Sequence, residues 1–209
     1  MKVLQHLLLL TAATVIISSC KKSSNDSGKS NPAVAQSYSN VSYGTDAAQK
    51  MDVFLPANRS TTSTKAMIII HGGAWSGGDK TDLNAFIDTL KRRMPDYAIF
   101  NINYRLATGT ANFFPTQEND VKAAIEFIYG KRSEYLISDK FVLNGQSAGG
   151  HLALLYAYKY TTPVKIKAVI DFFGPSDMVD LYNNPGLVPA ATIALIVGAT
   201  PISNATLYQ

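Results

Sequence analysis

The sequence predicts an α/β fold, a mostly parallel sheet with helices on both faces, over most of its 209 residues. Three observations lead there. Apolar runs without alternation stand at 67–70, 98–102, 141–143 and 168–173, the pattern of strands covered on both faces. Segments with helical periodicity fill the gaps between them, and strand–helix alternation is the signature of parallel strands joined by right-handed crossovers. A composition of 46% hydrophobic and 16% charged residues supports a real core and excludes wholesale disorder.

Ahead of that body lies a different kind of chain. Residues 1–19 read as a signal peptide: Lys2, an apolar stretch over 7–17, then Ser18 and Ser19 before Cys20. As a helix the stretch rises about 16 Å, short of the roughly 30 Å needed to span a membrane. Cys20, the single cysteine, sits where the apolar stretch ends, which resembles a bacterial lipoprotein signal with Cys20 as the lipidated residue. This predicts an exported, cell-envelope lipoprotein; without lipid it would be secreted or periplasmic. Residues 20–38 are small and polar and predict a flexible tether, so the folded domain is expected over 39–209.

Within the domain, short strands are expected at 40–43 and 50–55, the second closed by Pro56. Leu83, Phe86, Ile87, Leu90 and Met94 recur at helical spacing and stop before Pro95. Val121, Ala124, Ile125, Ile128 and Tyr129 do the same, with Asp120 near the start and Lys131-Arg132 in the last turn. The segment 148–160 is apolar on most sides, as a helix packed beneath a sheet would be.

Two turns carry chemistry-bearing residues. Gly145-Gln146-Ser147-Ala148-Gly149 fits G-x-S-x-G directly between a strand and a helix, where a serine is presented on a tight turn and the helix amides point at the reaction centre. His71-Gly72-Gly73-Ala74-Trp75 follows another strand, with glycines where backbone N–H groups would need close approach to an oxyanion. Gly72 or Gly73, together with Ala148, are the expected donors; His71 is expected to hold the loop rather than act as a base. Gly73 to Gly78 with Asp79-Lys80-Thr81 nearly matches a phosphate loop, but a residue is inserted and it is an aspartate.

These motifs, with Gly78-Asp79-Lys80, Tyr104-Arg105-Leu106, Phe114-Pro115 and Asp120, together resemble the α/β-hydrolase esterase/lipase family, particularly bacterial carbohydrate esterases. The resemblance implies Ser147 as nucleophile, Gly72, Gly73 and Ala148 as the oxyanion site, and ester hydrolysis through an acyl-enzyme. It also implies an acid and a histidine downstream of the serine. Only His151 follows Ser147, four residues on in the same helix, where a packed role is expected. Asp177, past the sixth strand, is a possible acid or a loop cap. The expectation is therefore a chain whose last strands are missing, with the sixth left as an apolar edge and turnover largely lost for want of an Asp/His pair.

The remaining expectations are mostly exclusions. Scattered basic residues at a net charge of +4 give no footprint for nucleic acid, and no metal-ligand cluster or cofactor motif is present. The expected partner is a small-molecule or carbohydrate ester, with the membrane reached through Cys20. Trp75, Tyr104, Phe113 and Phe114 could line its site or belong to the core. A non-catalytic surface lipoprotein that uses the fold for binding, or an amide hydrolase, are the alternatives.

Overall fold

A computed structural model describes residues 33–200 and Ser203. The signal peptide, Cys20 and the first part of the expected tether lie outside the described residues. Strands β1 (Gln36–Ser42), β2 (Lys50–Leu55), β3 (Lys65–Ile70), β4 (Tyr97–Ile102), β5 (Lys140–Gln146) and β6 (Lys165–Phe172) form one sheet in the order β1-β2-β4-β3-β5-β6. β2 pairs antiparallel with both β1 and β4, while β4, β3, β5 and β6 are mutually parallel.

Alternate residues of β3 feed two cores. Ile68 and Ile70 face α2 (Thr116–Gly130) and α4 (Ala148–Lys159), together with Phe100, Leu143, Ile125 and Leu152. Met67 and Ile69 face the other side, where α1 (Asn84–Arg93) supplies Ile87, Phe86 and Leu90. Burial on both faces removes any need for alternation, which is why these strands read as continuous apolar runs.

The chain departs from its sequence reading in four places. The sheet starts at Gln36, inside the stretch assigned to the tether. Asn58 N–H donates to Ala33 O (2.7 Å), and the Arg59 guanidinium donates to Val34 O and Gln36 Oε1, so polar residues are held by main-chain and side-chain hydrogen bonds rather than by burial. α2 starts at Thr116, ahead of the apolar pattern, and its first turns bury the polar Gln117, Glu118 and Asp120. Lys131 and Arg132 are not its last turn: α2 stops at Gly130, and Arg132 opens a separate short α3 (Arg132–Tyr135). The run at 168–173 is not covered on both faces: β6 is mostly exposed, with Phe172 and Phe173 38% and 81% exposed, and it lies at an edge of the described sheet, as expected of the sixth strand. Two further helices, α5 (Met178–Asn183) and α6 (Ala190–Val197), follow it.

Candidate active site

β5 ends in a turn that places Ser147 at φ 51°, ψ −119°, a left-handed conformation costing a non-glycine residue about 1–3 kcal/mol. The surroundings enforce it. Ser147 N–H donates to Phe172 O on β6 (2.8 Å), and His151 N–H donates to Ser147 O (3.1 Å) as α4 begins. Neighbouring glycines allow backbones to touch: a Cβ on Gly145 would lie 2.1 Å from Gly149 O, and one on Gly149 2.2 Å from Ile70 O. The turn is thus pressed against the end of β3, and Ser147 itself is half-buried.

The loop after β3 arrives at the same place. A Cβ on Gly72 would lie 2.9 Å from Gln146 O and 3.3 Å from Ser147 Cβ, so only a residue without a side chain fits beside the serine. Gly73, Ala74 and Trp75 then adopt positive φ in succession, at 108°, 48° and 58°. Ser76 and Gly77 N–H groups close the loop on Gly73 O, and Ala107 N–H donates to Trp75 O (3.0 Å). Among the described residues, no main-chain acceptor takes the N–H of Gly72, Gly73 or Ala148. β3 is followed in the chain by β4 on one side and β5 on the other, so the loops after β3 and β5 diverge at the carboxyl ends of the strands. Open α/β sheets place ligands at such a switch point.

A polar brace that the sequence reading missed holds the far end of the loop. Asp79 caps the 3-10 turn Lys80–Leu83, accepting from Thr81 N–H (2.8 Å), while Asp82 accepts from Asp79 N–H (2.9 Å). The aspartate that argued against a phosphate loop is therefore half of a capping box, readable as Asp79-x-x-Asp82. Burial alone would raise its carboxyl, but Thr81, Asn103 and Lys80 outweigh it and hold the group at about 2. Lys80 turns inward to a buried pair with Asp52 (2.7 Å), and Asn103 bridges Asp79 Oδ2 and Lys80 N–H.

His71 is 1% exposed and stacks on Tyr104 at 4.3 Å. Its Nδ1–H donates to Gly72 O (2.7 Å), and Tyr104 O–H donates to His71 O (3.0 Å). Burial pushes its pKa down, with the Gly72 bond opposing. His151 is 7% exposed, and its Nδ1 accepts from Trp75 Nε1–H (3.2 Å). Burial lowers its pKa from 6.5 to about 4, against a smaller upward pull from Glu118. A histidine kept neutral by the fold stabilises it fully above 6.5, and this contribution is lost as pH falls from 6.5 towards 4. We expect unfolding free energy to drop by on the order of 3 kcal/mol over that window on account of His151. Urea titrations at pH 7 and pH 4.5 should show a smaller drop for His151→Asn than for the parent; equal drops would refute the assignment.

Asp177 is exposed and caps α5, its Oδ1 accepting from Asp180 N–H (2.8 Å). With His151, Leu154, Tyr158 and Met178 it lines a cavity of about 730 Å³ whose lining does not include Ser147. Trp75 and Tyr104 are each 1% exposed and belong to the core, so neither offers a face to a ligand. Phe114 is half-buried near the His151 ring (6.0 Å), while Phe113, 36% exposed, rests on Gly198. Among the described residues, no imidazole hydrogen-bonds Ser147.

A mostly parallel sheet with helices on both faces, a serine on a strained strand-to-helix turn and a glycine loop against it define the α/β-hydrolase fold. Its solved relatives agree. A bifunctional GH43-CE protein of Bacteroides eggerthii superposes with a TM-score of 0.66 at 27% identity, over 82% of this chain and 27% of the other. A truncated carbohydrate esterase from gut microbiota gives 0.65 at 27% identity, over 79% and 66%. Esterase LipC of Mycobacterium tuberculosis is 26% identical over 67% of this chain and 37% of its own length; rabbit (Oryctolagus cuniculus) arylacetamide deacetylase is 31% identical over 55% and 29%. The chain thus spans about a third of the curated relatives it matches. The BD-FAE family model matches residues 51–209, and the chain belongs to the BD-FAE family.

Proposed function

We propose that this chain carries the nucleophile and oxyanion site of a serine esterase acting on small-molecule or carbohydrate esters. The observation that carries the reading is the abutment of Gly72 on Ser147, which sets the glycine loop beside the serine turn; the amides of Gly72, Gly73 and Ala148, without a main-chain acceptor among the described residues, would be the oxyanion donors. Ser147 Oγ would attack the ester carbonyl while its proton leaves to a general base. The oxygen that becomes negative would lie among those amides and the N-terminus of α4, whose partial positive charge favours an anion. Collapse expels the alcohol with a proton, and water then releases the acyl group from Ser147.

The carbohydrate-ester assignment draws support from the likeness to the gut-microbiota carbohydrate esterase at 27% identity. Residues 1–20 support an exported protein lipidated at Cys20, as read from the sequence. One observation favours a non-catalytic binding protein instead: His71 and His151 are both engaged away from Ser147. A fluorophosphonate probe separates the two. The parent should be labelled on a single serine, slowly because no described imidazole engages it, and Ser147→Ala should lose labelling; equal labelling of both proteins, or none of the parent, would refute the esterase reading.

A further inference from the structure

We propose that Trp75 and His151 form a clasp that positions the glycine loop over the serine turn, making both of them positioning residues for the oxyanion site. The inference rests on the esterase reading for its consequence and on geometry alone for its existence. Trp75 Nε1–H donates to His151 Nδ1 at 3.2 Å, and the rings meet edge-on at 5.2 Å between centroids. Both side chains are buried, at 1% and 7% exposure, and loss of the bond would leave the indole N–H of Trp75 without a partner in the core.

The two residues stand 76 apart in sequence, one at the end of each reactive turn. Trp75 is the last of three successive positive-φ residues that follow Gly72, the residue packed against Ser147. His151 is the residue whose N–H closes the first turn of α4 on Ser147 O. A loop carrying that much left-handed backbone needs outside constraints to keep its shape. Ala107 supplies one at the main chain of Trp75, and His151 supplies one at its side chain.

The bond requires a neutral imidazole with its proton on Nε2, and burial of His151 favours the neutral form. The charged groups around it are already engaged. Glu118 on α2 is held by Lys159 and Tyr160, and Asp177 across the neighbouring cavity caps α5. His151 is therefore free to serve Trp75 alone, which accounts for a histidine that lies next to the serine turn without reaching it.

Trp75 is the sole tryptophan, so its indole N–H gives one resonance in a proton–nitrogen NMR spectrum of the protein. That proton should exchange slowly with solvent in the parent. It should remain protected in His151→Asn, whose Oδ1 occupies the place of Nδ1, and exchange at least about tenfold faster in His151→Leu. Fluorophosphonate labelling of Ser147 should slow at least about tenfold in His151→Leu, with recovery in His151→Asn, since misplacing an oxyanion donor is costly in rate. An indole equally protected in folded His151→Leu would overturn the clasp. Loss of protection with unchanged labelling would overturn its positioning role. Failure of the parent to label would count against the esterase reading, while the indole proton would still decide whether the clasp exists. Trp75→Phe, which removes the donor and keeps an aromatic ring, checks the same conclusion should His151→Leu misfold.

Discussion

Gly149→Ala is expected to destabilise the protein by at least about 3 kcal/mol and to abolish probe labelling at Ser147. The added methyl would sit 2.2 Å from Ile70 O, 2.5 Å from His71 O and 2.7 Å from Ile70 C. All three are backbone atoms at the end of β3, where no side chain can swing aside. Relief requires lifting α4 off the sheet, which moves Ala148 and Ser147 away from Gly72. Gly130→Ala at the end of α2 is the matched control, because its methyl would meet nothing within 4 Å. There the gain in helix propensity should raise stability by roughly 0.5–1 kcal/mol. Urea unfolding of the two variants should shift in opposite directions; shifts of the same sign and size would contradict this account of the close approach.

Asp120→Ala should cost about 3–5 kcal/mol, the usual penalty for removing one member of a buried ion pair. Its carboxylate is 1% exposed and accepts four hydrogen bonds: from Arg105 N–H and Nε (2.9 Å each), Arg105 Nη2 (2.6 Å) and Gln49 Nε2 (2.7 Å). The group therefore joins α2, the segment after β4 and the β1–β2 connection. Arg105, with 30% of its side chain exposed, could turn to water, whereas the buried Gln49 amide could not. Asp120→Asn, which keeps the volume and one acceptor, should lose less. Equal stability of Asp120→Ala and the parent in urea would show that the network contributes nothing net.

Periodicity and motif spacing made much of this molecule legible. β2 and β4 were readable to within a residue because β-branched and aromatic side chains fill strands bounded by proline or a charged turn. The serine turn and the glycine loop were readable because each requires glycine where backbones meet. What escaped has a common physical cause, polar residues doing buried work. Gln117, Glu118 and Asp120 concealed the start of α2, and Gln36 entered the sheet through its pairing with β2 and a side-chain bond from Arg59. α6 escaped for a different reason: Ala190–Val197 is an apolar run too short for its period to show, although Pro189 before it and Gly198 at φ 71° after it were usable boundary signals. The roles of Trp75 and His151 could not be inferred from spacing, since a contact between residues 76 apart depends on how the two loops converge.

The bond from Ser147 N–H to Phe172 O has a dynamic consequence. β3 is held between two parallel neighbours, with Ala66–Ile70 no more than 1% exposed, so its amides belong to the slowest-exchanging part of the molecule. β6, mostly exposed, is the rim of the described sheet, and sheets breathe first at a rim. The serine takes its geometry from both: its neighbours press on the rigid centre while its own amide is tied to the rim. Each fraying of β6 at Phe172 releases that amide and, with it, one restraint on the left-handed backbone at Ser147.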